Sequence, residues 1–159
     1  MRWQDVCENP QLQDLPFKME LNHWGQLIMS PAKNIHSVLQ GRIQRELFKR
    51  LGDRGEIIPE CAIQTSDNVK VADVAWISPE RYQQVKHEIA YSTAPELCIE
   101  VISASNSEQE MLEKKHLYFE VGAVEVWLCS PEGEIRFYDR SGKLTRSRLL
   151  PDFPLQVER

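Results

Sequence analysis

The chain has 159 residues, 42% hydrophobic and 27% charged, with a net charge of −5. That length suits one domain able to bury a core without disulfides, and that balance rules out a disordered or membrane-spanning chain. No apolar run reaches the roughly 18 residues of a spanning helix, and Met1-Arg2-Trp3-Gln4-Asp5 lacks a signal peptide's apolar segment, so no membrane partner and a cytoplasmic setting are expected.

Residues 1–159 read as a single unit in which 1–33 form a lead-in of short extended pieces, anchored on the body by Leu15, Phe17, Leu21, Trp24, Leu27 and Ile28. With Asn34 as N-cap, the three- and four-residue spacing of Ile35, Val38, Leu39, Ile43, Leu47 and Leu51 predicts an amphipathic helix ending at Gly52. Residues 57–64 and 69–77 are apolar-rich and flank Thr65-Ser66-Asp67-Asn68, which predicts an antiparallel hairpin. A helical turn is expected around 80–87. Leu97-Cys98-Ile99-Glu100-Val101-Ile102 reads as a central strand covered on both faces. Met111, Leu112, Tyr118, Phe119 and Val121 predict a second helix over 108–121, closed by Gly122. Strands are expected at 124–129, 135–138 and 144–149, ending the chain on a β-meander. Helix, hairpin, strand, helix and strands together predict an α/β (α+β) fold with helices packed on a sheet.

Cys7, Cys61, Cys98 and Cys129 stand singly, and His23, His36, His87 and His116 have no zinc-ligand spacing, so reduced cysteines and no zinc site are expected. The acidic total argues against generic nucleic-acid affinity. Residues 42–54 and 134–148 nevertheless each carry five basic against two acidic residues, either as binding patches or as solvated faces.

Two carboxylates fall where apolar side chains are expected. Strand alternation puts Asp73 on one face with Val71, Ala75 and Ile77, and Glu100 with Cys98 and Ile102. Burying either charge without compensation costs several kcal/mol. On neighbouring strands the two can approach to about 4 Å, where they repel by roughly 4 kcal/mol at an effective dielectric near 20, and a bound cation reverses that sign. Oxygen ligands of this kind suit Mg²⁺, although each acid can equally pair with an arginine. His36 and Gln40, one helical turn apart, are secondary candidates for reaching a phosphate or the attacking water, and Glu60 for a third acidic ligand.

An ordered set of segments carries a resemblance. Leu15-Pro16-Phe17-Lys18-Met19-Glu20, Ile28-Met29-Ser30-Pro31, Val71-Ala72-Asp73-Val74, Glu100-Val101-Ile102-Ser103, Lys114 to Tyr118 and Gly122 to Leu128 together resemble the Uma-two family of restriction endonucleases, in the PD-(D/E)XK superfamily, found widely in bacteria. The resemblance implies a central mixed sheet flanked by helices, a metal site and action on DNA. By position, Asp73 matches the Asp of the family's Pro-Asp pair, with Ala72 at the proline's place. Glu100 matches the acid of the (D/E)XK element, with Ile102 where a lysine is usual. The resemblance implies that the lysine comes instead from the following helix, four residues before a tyrosine, as Lys114 stands before Tyr118. Met111, Lys114, Tyr118 and Val121 share one helical stripe, while Lys115 shares another with Leu112 and Phe119. Periodicity does not separate the two lysines; the family pattern favours Lys114.

The expected activity is metal-dependent hydrolysis of DNA phosphodiesters, with Asp73, Glu100 and the Val101 carbonyl holding Mg²⁺ or Mn²⁺ and Lys114 stabilising charge. The alternative is an inactive nuclease-fold protein that binds nucleic acid or another protein. Because many nucleases cut two strands as twofold dimers, a homodimer is a further expectation.

Overall fold

The computed structural model describes residues 1–158. The lead-in is more structured than its composition suggests: α1 (Trp3–Glu8) and a 3-10 turn (Pro10–Leu12) precede an antiparallel hairpin of β1 (Phe17–Leu21) and β2 (Leu27–Pro31). Helix α2 (Asn34–Leu51) follows, with Lys33 at the N-cap position, so Asn34 is the first helical residue and not the cap. Its C-terminal turn closes as Gly52 N–H donates to Phe48 O at 2.8 Å.

The main sheet begins with β3 (Glu56–Thr65) and β4 (Asn68–Ile77), joined by the expected polar turn. Thr65 Oγ1 donates to Asn68 O at 2.7 Å and accepts from Asp67 N–H at 3.1 Å, which folds the corner locally. After α3 (Pro79–Val85), β5 (Leu97–Val101) pairs antiparallel with β4. Helix α4 (Glu108–Glu120), capped by Ser107, then crosses over so that β6 (Glu125–Cys129) runs parallel to β5. Strands β7 (Ile135–Asp139) and β8 (Gly142–Leu144) complete a six-stranded sheet in the order β3-β4-β5-β6-β7-β8.

The last strand differs from expectation because a buried carboxylate competes for its backbone. Glu125 accepts from Ser147 Oγ at 2.7 Å and from the N–H groups of Arg148 and Leu149 at 2.8 and 2.9 Å. These bonds bend the chain after Leu144, so the strand expected over 144–149 stops at its first residue.

Helices cover both faces of the sheet, as the continuous apolar character of β5 requires. Leu39, Ile43 and Leu47 of α2 pack with Val74, Trp76, Ile99, Trp127 and Phe137. Met111, Tyr118 and Phe119 of α4 pack with Cys61, Ala72, Ala75, Cys98, Val126 and Leu128. Ala72 and Ala75 lie three apart yet fall in the same core cluster, the one on the α4 side of the sheet, so the alternation expected to run unbroken through Asp73 shifts there. Opposite, Glu60 takes a left-handed φ of 55°, and neither it nor Asp73 joins the ladder between Pro59↔Val74 and Cys61↔Ala72. An irregularity of this kind re-aims a side chain within a sheet. Cys61, Cys98 and Cys129 are buried free thiols, as expected. Among the described residues no helix is long and apolar enough to cross a membrane.

Candidate active site

The sheet register brings the two acids together. The β4–β5 ladder ends at Val74↔Ile99, and one step further along Asp73 stands opposite Glu100. Each residue is only 1% exposed, so each charge needs protein partners.

Both carboxylates divide their oxygens in the same way. Asp73 Oδ2 accepts from Val101 N–H at 2.7 Å and lies 3.4 Å from His36 Nε2. Glu100 Oε1 accepts from the Tyr118 hydroxyl at 2.6 Å and from Lys114 Nζ at 3.2 Å. The two remaining oxygens, Asp73 Oδ1 and Glu100 Oε2, face one point, where Lys18 Nζ donates to them at 3.1 and 2.9 Å.

Lys18 and Glu20 are site residues that sequence reasoning missed. They lie two apart on β1, so both project from the same face. Glu20 Oε2 accepts from Val71 N–H at 2.7 Å and pairs with Lys114 Nζ at 2.6 Å, joining the lead-in to β4 and α4. A usable signal exists: two opposite charges at alternate positions among Phe17, Met19 and Leu21. The lead-in is too short and irregular for periodicity to reveal it.

The structure separates the two candidate lysines. Lys114 reaches Glu100, whereas Lys115 Nζ lies over the Tyr138 ring, 4.3 Å from its centroid, which removes Lys115 from the site. His36, Gln40 and Glu60 line the same cleft, which measures about 540 Å³, and each bonds to the protein through one polar atom, His36 Nδ1 being buried without a partner. His36 Nε2 lies 3.1 Å from Val101 O; both its neighbours are acceptors, so this nitrogen carries a proton and donates. Gln40 Nε2 donates to Asp73 O at 2.6 Å and Glu60 Oε1 at 2.9 Å, satisfying the carbonyl that the sheet irregularity frees. His36 and Gln40 therefore brace the Asp73 and Val101 backbone while lining the cleft. Glu60, the candidate third acidic ligand, lies within β3 with its Oε1 accepting from Gln40.

Electrostatics separate the two acids further. Burial alone would raise the Asp73 pKa, but Lys18, His36 and the Val101 N–H outweigh it and hold this carboxyl well below the usual range. At Glu100 burial prevails over Lys114 and Lys18 and, with the neighbouring Asp73 and Glu20 charges, pushes the carboxyl up. Lys18 loses solvation, yet the carboxylates of Glu100, Asp73 and Glu20 raise its pKa well above that of a free lysine.

The donor set fits a hard divalent cation. Two carboxylate oxygens converge on a point that already holds a positive group, and the Val101 carbonyl, engaged by His36, belongs to the strand residue next to Glu100. With two acidic side chains, such an ion would draw its other ligands from backbone, water and substrate phosphate, as Mg²⁺ commonly does.

The sequence matches a family model described as "Uma2: Putative restriction endonuclease" over residues 8–153. The chain belongs to the Uma2 family. Among solved structures, one described as a putative nuclease belonging to DUF820 from Anabaena variabilis ATCC 29413 matches 96% of this chain and 82% of its own, with a TM-score of 0.66 and 17% identity. At that identity the likeness shows the fold. The six-stranded mixed sheet flanked by helices is consistent with a PD-(D/E)XK nuclease and agrees with the architecture that the Uma2 resemblance implies. No curated protein matches the chain.

Proposed function

We propose that this Uma2 protein is a metal-dependent endonuclease that hydrolyses DNA phosphodiester bonds, using Mg²⁺ or Mn²⁺ held by Asp73 and Glu100 with the Val101 carbonyl. The observation that carries this reading is the pair of buried carboxylates that turn one oxygen each to a shared cation position while protein donors fix the other two. A divalent ion supplies Lewis-acid chemistry at such a site, lowering the pKa of water and neutralising charge on a phosphate.

The chain's own groups supply orientation and charge. Val101 N–H and Tyr118 hold the carboxylates so that Oδ1 and Oε2 point into the cleft. Lys114, fixed between Glu20 and Glu100, is a stationary positive group beside the acid pair, where it would stabilise negative charge growing on a bound phosphate. His36 and Gln40 keep the strand ends from relaxing when charge changes in the site.

Asp73→Asn and Glu100→Gln each remove a charge and little volume. Both should lower magnesium-dependent cleavage of plasmid DNA by more than about a hundredfold, with circular dichroism still native. Wild-type cleavage by either folded variant would sink the proposal.

A further inference from the structure

The acid pair faces a cation that belongs to the chain itself. Lys18 Nζ sits between Asp73 Oδ1 and Glu100 Oε2, and among the described residues these two oxygens have no other hydrogen-bond donor. That is the point which the proposed function assigns to a divalent ion. The two cannot share it, because Mg²⁺ takes its oxygens at about 2.0–2.1 Å and repels a second cation in the same gap.

We propose that Lys18 is a built-in competitor of the divalent ion: its ammonium neutralises Asp73 and Glu100 in the metal-free chain and must leave before a metal can seat. This inference rests on the metal site proposed above. Three features of the structure support it. The β1 backbone is anchored independently of the ammonium, by Glu20 on Val71 N–H and by Lys70 Nζ on Leu21 O at 3.2 Å, so the exchange requires movement of one side chain and not of the strand. Lysine carries its point charge on a flexible four-carbon stem, and the adjoining cleft gives it space to withdraw into. Lys114 differs, because it grips Glu100 Oε1 and Glu20 outside the shared gap and can stay when the gap is filled.

A reason for the device follows from burial. Two carboxylates facing each other at 1% exposure would repel strongly without a counter-charge, so an ammonium lets the chain fold before metal arrives. The consequence is weaker metal binding, since the ion must displace two charge-assisted hydrogen bonds.

The test uses the full chain and Mn²⁺ alone, without DNA. Calorimetric titration and thermal melts with EDTA or Mn²⁺ compare wild type, Lys18→Met, Lys18→Gln and Asp73→Asn. Lys18→Met should melt below wild type in EDTA, gain more from Mn²⁺, and bind it about ten- to a hundredfold more tightly. Lys18→Gln should fall between them, and Asp73→Asn should lose binding. In wild type, Mn²⁺ should increase acetylation of Lys18, read by mass spectrometry, while leaving Lys114 unchanged. This measurement decides the matter even when a Lys18 variant fails to fold: Lys18 labelling unaffected by saturating Mn²⁺ overturns the competition. Equal Mn²⁺ affinity in wild type and folded Lys18 variants, with loss in Asp73→Asn, also overturns it but leaves the metal site standing. Absence of Mn²⁺ binding in every folded variant removes both.

Discussion

Tyr118 shows how a single hydroxyl aims a carboxylate. Its 2.6 Å bond to Glu100 Oε1 comes from a fully buried side chain of α4 and leaves Oε2 turned to Lys18. Tyr118→Phe removes that donor while conserving the ring's packing. The expected cost is roughly 1–3 kcal/mol by urea denaturation, together with slower magnesium-dependent cleavage, because the carboxylate loses one of two fixed partners. Unchanged stability and rate would show that Lys114 alone orients Glu100. Asp73 and Glu100 were legible in the sequence because a charge among strand apolar residues is conspicuous. Lys18 and Glu20 stand out only as opposite charges at alternate positions, and their contacts are not encoded locally, since their partners lie 55 and 51 residues away at Asp73 and Val71.

Helix α4 and the β3–β4 hairpin place those groups. Apolar spacing correctly put Met111 and Tyr118 toward the sheet with Lys114 on their stripe, but it left Lys115 as an equal rival. The rivalry is resolved by Tyr138 of β7, a distant strand whose ring takes up the Lys115 ammonium. The hairpin depends on a close approach at its entry, where Gly55 has a φ of 71° and an added Cβ would overlap the Ile77 carbonyl and lie 2.8 Å from Trp76 Nε1. Gly55→Ala should therefore destabilise the chain by about 2–4 kcal/mol, through left-handed strain and displacement of the Glu56↔Ile77 pairing. Thermal melts check this, and an unaltered midpoint would contradict the close contact. The strand expected at 144–149 has a comparable explanation: its local composition permits extension, but Glu125, more than twenty residues earlier, binds its N–H groups.

For the molecule as a whole, the site makes stability depend on pH. Asp73 and Glu20 are held below their ordinary values of 3.8 and 4.5, Asp73 against burial by Lys18 and Glu20 against burial by Lys114. Groups depressed in this way stabilise the fold above those values, and the contribution disappears as pH falls through the lower folded values. Glu100, raised by burial, acts oppositely: its contribution is full below 4.5 and is lost as pH rises through its folded value. Denaturation from about pH 2 to 6 should show a steep acid limb, which Glu20→Gln flattens by on the order of 1 kcal/mol. An identical acid limb in that variant would show that Glu20 is not held ionised by Lys114.

Spacing and apolar pattern alone established the helices at α2 and α4, the hairpin, the central strand and the presence of two misplaced acids, because each depends on neighbours within a few residues. Strand order, the shift of alternation at Asp73, the choice of Lys114 over Lys115 and the entry of Lys18 and Glu20 into the site came from three-dimensional packing. Those features arise where segments far apart in the chain compete for the same buried charges, and the outcome depends on distances that no local pattern contains.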